Sequence, residues 1–143
     1  VKWPELFVQD KNNFTTNSPD KTINFILANA NDFTEQINAA DVIYMRGGKK
    51  GDQLEQQLRS VSDLTQAFKG KVVGGSSAGA NALARYRFSN DADRVKEGLG
   101  LLPIKVFCHY SDDKTDKLER LRQHGEELKV YTIPECKFIT INN

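Results

Sequence analysis

Long apolar runs, clustered cysteines and charge of one sign are all missing from this 143-residue chain. No apolar stretch approaches the length of a membrane span, which is about 20 residues, and no signal-peptide pattern is present. No membrane partner is therefore expected. The net charge is +1 and no basic run is longer than two residues, which removes the electrostatic footprint of a nucleic-acid binder. Two cysteines, Cys108 and Cys136, are too few for a disulfide framework. Reduced thiols and a cytoplasmic location follow as expectations. CxxC and HExxH spacings are absent, so no metal is expected. Only two histidines, His109 and His124, are available as a general base. A chain of this length forms one domain that buries roughly two-thirds of its unfolded surface.

What is present centres on Lys71 to Ala80, K-V-V-G-G-S-S-A-G-A. Val72 and Val73 read as a buried parallel strand, and Ala78 to Arg85 is rich in helix formers. Between them Gly75-Ser76-Ser77-Ala78-Gly79 fits G-x-S-x-G, in which a strained strand-to-helix elbow exposes the central serine. Flanking glycines tolerate the unusual dihedrals, and the helix N-terminus aims N–H groups at a developing anion. Ser77 is the candidate nucleophile, and Ser76 has the wrong offset from the glycines. A small-residue turn packing a helix on a sheet, or a phosphate-cradling loop, would use the same residues.

Along the chain, Trp3, Leu6, Phe7 and Phe14 have helical spacing, and Ile23 to Ala28 reads as a short strand. Asp32 to Glu35 has capping-box spacing and opens a brief helix to about Ala40. Val42 to Met45 is a strand ending at Arg46-Gly47-Gly48. The longest helix is expected next, capped by Asp52 with Glu55 three residues on, carrying Leu54, Leu58, Val61, Leu64 and Phe68 on one face and ended by Gly70. Ser89 to Gly100 reads as a charged loop and Ile104 to Cys108 as a strand ending at His109-Tyr110. A helix with Leu118 and Leu121 inward follows, closed by Gly125. Val130 to Ile133 and Phe138 to Ile141 are two last strands, a candidate antiparallel pair at the C-terminus, joined through Pro134-Glu135-Cys136. The pattern is α/β, a mainly parallel sheet flanked by helices. In such sheets binding residues collect beyond the carboxyl ends of strands, where Gly47-Gly48, Ser77, His109 and Glu135 all fall.

A serine hydroxyl needs a base, and the base needs an orienting group. His109 at a strand end is preferred over His124, which sits in the last turn of a helix as surface histidines do. Glu135, Asp91 and Asp93 are the candidates for the third member. The quoted motifs, D-V-I-Y-M-R-G-G (41 to 48), G-G-S-S-A-G-A (74 to 80), G-L-G-L-L-P-I-K-V-F-C-H-Y (98 to 110) and T-I-P-E (132 to 135), together resemble the peptidase E family of serine peptidases. That family includes α-aspartyl dipeptidases and the related cyanophycinases. The resemblance covers roughly Ile23 to the end. It implies a three-layer fold like the class I glutamine amidotransferases, with serine replacing their cysteine. It also implies Ser77 as nucleophile, His109 as base, Glu135 as orienting acid with Asp91 as runner-up, and the N–H groups of Gly48 and Ala78 as oxyanion hole. The order Ser, His, Glu argues against an α/β-hydrolase, in which the acid precedes the histidine.

The expected function is hydrolysis of a small peptide or amide through an acyl-enzyme, without cofactor. Arg46, at the mouth of a strand end, is placed to pair with a substrate carboxylate; the alternative is a structural arginine bonded to loop carbonyls, Asp41 or Asp52. Lys49-Lys50-Gly51 intervenes where relatives run from the glycine pair directly into G-G-N-T or G-G-D-Q. Relatives also carry two further strands before the aligned region, so 1–143 is expected to be part of a longer chain or covered by a partner. The rival functions are a catalytically inactive relative and an anion-binding module using the same glycine-rich elbow; no G-K-[ST] accompanies the turn.

Overall fold

The computed structural model describes residues 3–49 and 51–142. Val1 and Lys2, at the start of the predicted first helix, and Lys50, in the loop after the glycine pair, lie outside them. The chain divides into two compact units, Val1–Ala39 and Ala40–Asn143.

The first unit holds α1 (Trp3–Asn17) and α2 (Phe33–Ala39). α1 has no buried residue. The Phe14 and Phe25 rings meet with centroids 6.3 Å apart. The strand predicted over Ile23 to Ala28 is absent: the segment forms no strand or helix, and Ile23, Ile26 and Leu27 are exposed. A short apolar run has the composition of a strand, but only a neighbouring ladder makes it one. α2 begins at Phe33, directly after Asp32, where the capping-box spacing of Asp32–Glu35 placed it. Asn29 Oδ1 accepts the N–H groups of Asn31 and Asp32, and Gln36 Oε1 accepts that of Asn29.

In the second unit β1 (Val42–Met45) pairs in parallel with β2 (Val72–Gly75), residue for residue from Val42↔Val72 to Met45↔Gly75. A four-stranded sheet has the order β4-β3-β5-β6, from β3 (Ala84–Ser89), β4 (Arg94–Glu97), β5 (Leu102–Cys108) and β6 (Lys129–Ile133). β3–β5 and β5–β6 are parallel. β3–β4 is antiparallel, so the antiparallel pair lies in the middle of the chain and not at Val130 to Ile141. Phe138 to Ile141 forms no strand.

The loop read over Ser89 to Gly100 contains β4, whose residues pair with β3, and two further readings failed. The elbow helix α5 stops at Leu83, and A-R-Y-R-F-S becomes β3. Its alternation of apolar and charged residues has period two, which outweighed the helix propensity of Ala84 and Arg85 once a partner strand was beside it. The predicted long helix is two helices, α3 (Gly51–Arg59) and α4 (Leu64–Phe68). Ser60 Oγ folds back onto the Gln57 carbonyl at 2.6 Å, and Asp63 caps α4 by accepting the Gln66 N–H at 2.9 Å. Both residues prefer local backbone bonds to helix interior.

The two faces of the four-stranded sheet carry different layers. On one, Tyr86, Phe88 and Phe107 pack with Leu118 and Leu121 of α6 (Thr115–Gln123). On the other, Ala84, Ile104, Val106 and Cys108 pack with Ala80 of α5 (Ala78–Leu83). A register shift between Ala84 and Tyr86 explains why neighbouring even positions of β3 face opposite layers. Two charges are buried in these layers, each with a partner. Lys105 is fully buried and donates to the Arg122 carbonyl at 2.7 Å, satisfying the C-terminal end of α6. Arg87 is 6 % exposed and reaches Glu55 of α3 at 2.6 Å and Asp52 at 3.5 Å. Asp52 and Glu55 thus serve a buried guanidinium and Lys96, not the helix cap the sequence suggested.

Candidate active site

The carboxyl ends of β1, β2, β5 and β6 supply every predicted site residue except Asp91. β2 turns into α5 within Ser76-Ser77, and Ser77 holds φ 48°, ψ −106°. A non-glycine residue there costs about 1–3 kcal/mol, which the close packing around the elbow must offset. That packing leaves no space: a Cβ on Gly79 would lie 2.0 Å from the Met45 carbonyl oxygen, and one on Gly75 2.4 Å from the Gly79 carbonyl carbon. The G-x-S-x-G spacing therefore records an approach of backbone to backbone that only glycine permits.

His109 follows β5 with φ 58°, also left-handed. Two side chains hold the carbonyls beside this strained residue. Lys114 Nζ donates to the His109 carbonyl at 2.5 Å, and Asn90 Nδ2 to the Cys108 carbonyl at 3.1 Å. Neither was legible in the sequence, because nothing in the spacing of Asn90 or Lys114 distinguishes them from ordinary loop residues. Glu135 sits in a turn after β6, closed by the Lys137 N–H on the Pro134 carbonyl at 3.2 Å with Cys136 at φ 59°.

These turns bring three side chains into one hydrogen-bonded chain. Ser77 Oγ and His109 Nε2 are 2.7 Å apart, and His109 Nδ1 bonds Glu135 Oε1. With Nδ1–H donating to the carboxylate, Nε2 has a lone pair for the serine proton. Asp91 is exposed in the turn between β3 and β4, and the bond to Nδ1 is made by Glu135. Asp93 in the same turn pairs with Lys117 at 2.9 Å and Arg120 at 3.4 Å. His124 caps α6 and stacks edge-on against Tyr86 at 5.0 Å, a packing role. The site histidine and carboxylate are open to solvent, with side chains 46 % and 76 % exposed.

Cys108, next to His109 in sequence, faces away into the core and its thiol donates to the Ser77 carbonyl at 3.7 Å. Burial pushes its thiol up to about 11, so it stays protonated and is no rival nucleophile. Gly48 is exposed, and its missing side chain leaves nothing within 4 Å. Ala78 is the first residue of α5, where an N–H has no intrahelical acceptor. Gly51 returns the loop to the elbow, since a Cβ there would be 3.1 Å from the Ala78 methyl. Arg46 is half-buried at the end of β1. Among the described residues, no three His, Cys, Asp or Glu side chains gather as metal ligands would, and no helix is long and apolar enough to cross a membrane.

A serine on a strand-to-helix elbow, bonded to a histidine that is bonded to a carboxylate, has the layout of a serine hydrolase. Residues 19–143 match the model of peptidase family S51, and the chain belongs to that family, the peptidase E family. Membership makes it a serine-type peptidase. No match was found among curated proteins or among solved structures.

Proposed function

We propose that this peptidase hydrolyses a small peptide or amide through an acyl-enzyme, with Ser77 as nucleophile, His109 as general base and Glu135 as its orienting acid. Ser77 Oγ attacks the scissile carbonyl carbon while its proton passes to His109 Nε2. The carbonyl π electrons move onto oxygen, which the Gly48 and Ala78 N–H groups receive; each such donor is worth about 3 kcal/mol of barrier. The C–N bond then breaks and His109 returns the proton to the leaving amine. Water, deprotonated by the same imidazole, attacks the ester and restores the serine. The Ser77–His109–Glu135 hydrogen-bonded chain is the observation that carries this reading. Cys108, buried and held protonated, competes for none of these roles.

The test is labelling with a fluorophosphonate serine probe. Wild type should be labelled at Ser77 and Ser77→Ala should not; equal labelling of both, or none of wild type, overturns the reading.

Arg46 adds a preference for acidic substrates. Its guanidinium stands one residue before the Gly47-Gly48 pair, at the strand end that also provides the oxyanion donor, and planar bidentate pairing suits a substrate carboxylate. Arg46→Gln should then lower kcat/KM for an aspartyl p-nitroanilide at least about tenfold more than for the alanyl compound. Equal losses on both would make Arg46 structural.

A further inference from the structure

Ser76, set aside as a nucleophile by its offset from the glycines, has an unusual hydrogen-bond environment. β1 and β2 are parallel, and the ladder continues one step past their ends with the Ser76 N–H on the Met45 carbonyl at 3.0 Å. In a parallel ladder the next bond would run from the Gly47 N–H back to the Ser76 carbonyl. That carbonyl is already engaged, accepting the Gly79 N–H of α5 at 2.9 Å as the chain turns through the elbow. The Ser76 hydroxyl replaces it: Oγ accepts the Gly47 N–H at 2.8 Å. The Tyr44 hydroxyl donates to the same oxygen at 3.1 Å and fixes its rotamer.

We propose that Ser76 is a positioning residue, whose hydroxyl pins the Gly47 peptide so that the adjoining Gly48 N–H points at the oxyanion. The inference rests on the hydrolytic reading above and concerns the same site. Its second support is the closeness of the two segments. A Cβ on Gly47 would lie 2.8 Å from the Ser76 carbonyl oxygen and 2.9 Å from Ser77 Cβ, so the oxyanion segment lies directly against the nucleophile's backbone. The held N–H belongs to the Arg46–Gly47 peptide, and a shift of that peptide carries the Gly47 Cα, from which the Gly48 N–H is set relative to Ser77 Oγ. The Gly48 side is open, with no atom of the described residues beyond its chain neighbours within 4 Å of its Cβ position. The Ser76 hydroxyl supplies the hold on the Arg46–Gly47 peptide. Tyr44 belongs to the same device, because an unheld Ser76 hydroxyl has three staggered positions and only one meets the Gly47 N–H. Ser76 touches no reacting atom, and its effect is on barrier height more than on substrate binding.

The probe is the fluorophosphonate, because its phosphoryl oxygen occupies the oxyanion position when Ser77 attacks phosphorus. Wild type, Ser77→Ala, Ser76→Ala, Ser76→Thr and Tyr44→Phe are compared for the maximal labelling rate, kinact, and the half-saturating concentration, KI. Ser76→Ala should lower kinact about 10–100-fold, somewhat less than outright loss of an oxyanion donor, with KI within about twofold. Ser76→Thr, which keeps a hydroxyl, should recover to within about threefold of wild type. Tyr44→Phe should fall between, and provides the reading should Ser76→Ala fail to fold. Wild-type kinact in folded Ser76→Ala, in Tyr44→Phe where Ser76→Ala does not fold, or equal losses in the alanine and threonine variants, would overturn the proposal while leaving Ser77 as nucleophile. Labelling of Ser77→Ala, or none of wild type, would instead remove the reading on which it rests.

Discussion

Ser77, His109 and Cys136 each carry a left-handed backbone at the rim of one site, and each follows the end of a parallel strand. At Ser77 and His109 the side chains so aimed meet at 2.7 Å. The His109–Glu135 bond gives a first expectation. Glu135→Gln should lower the labelling or turnover rate about 100-fold by leaving the imidazole in the wrong tautomer, a smaller loss than in sites where the acid is fully buried. Asp91→Asn should leave the rate within about twofold, and a large effect there would transfer the acid role. The two thiols should separate in reactivity. Cys136 is exposed, whereas Cys108 is buried with its thiol raised to about 11. Iodoacetamide at pH 8 should alkylate Cys136 and spare Cys108 in the folded chain, as peptide mass spectrometry would report. Equal modification of both would mean that the core around Ser77 opens.

At the scale of elements, α3 is tied to the sheet by charge. Its residues Asp52 and Glu55 meet Arg87 in the middle of β3, where the Arg87 and Glu55 side chains are 8 % and 12 % exposed. Removing the cation leaves a nearly buried carboxylate without its partner, so Arg87→Met should cost about 3 kcal/mol by denaturant unfolding. Because only two residues separate α3 from Gly48 in the sequence, the same variant should also slow labelling. α5 is tied by contact instead. Gly79→Ala would place a methyl on the Met45 carbonyl, and no side chain is available to yield. A loss of more than about 3 kcal/mol, or failure to fold, is expected, and a melting temperature near wild type would contradict this packing.

Across the second unit, acid sensitivity should come from carboxylates that bind separate elements together. Asp93 pairs with Lys117 and Arg120 of α6, tying the β3–β4 turn to that helix. The hydrogen bond from Lys117, ahead of its Coulomb attraction and the bond from Arg120, holds the Asp93 carboxyl below its ordinary value of 3.8. Glu126 is lowered in the same direction, first by its bond with the Tyr86 hydroxyl. A carboxyl depressed in the folded state binds its proton more readily in the unfolded chain. Its contribution is therefore complete above the ordinary value and is lost as the pH falls through the folded one. Asp93→Asn should lower the melting temperature at pH 7 by a small amount, because the group is solvent-screened. The difference from wild type should shrink below about pH 4. A difference that persists unchanged at pH 3 would mean the ion pairs are not its source.

The sequence by itself determined the parallel α/β layout, the elbow and the set of residues at the strand ends. Glycine spacing, β-branched runs and chain order are local signals, and Gly75, Ser77 and Gly79 carry theirs within five residues. It also left three carboxylates open as partners of the histidine, because distance across a fold has no signature in spacing. In the tertiary structure it is Glu135, from its turn after β6, whose carboxylate bonds His109 Nδ1. Tertiary structure likewise decided that A-R-Y-R-F-S is β3, since a strand requires a neighbour to complete its hydrogen bonds. Ile23 to Ala28, with similar apolar content, had none and stayed unpaired. For Ser76 the offset from the glycines bore on one role alone, and the bond from the Gly47 N–H to its hydroxyl is visible only in the ladder geometry.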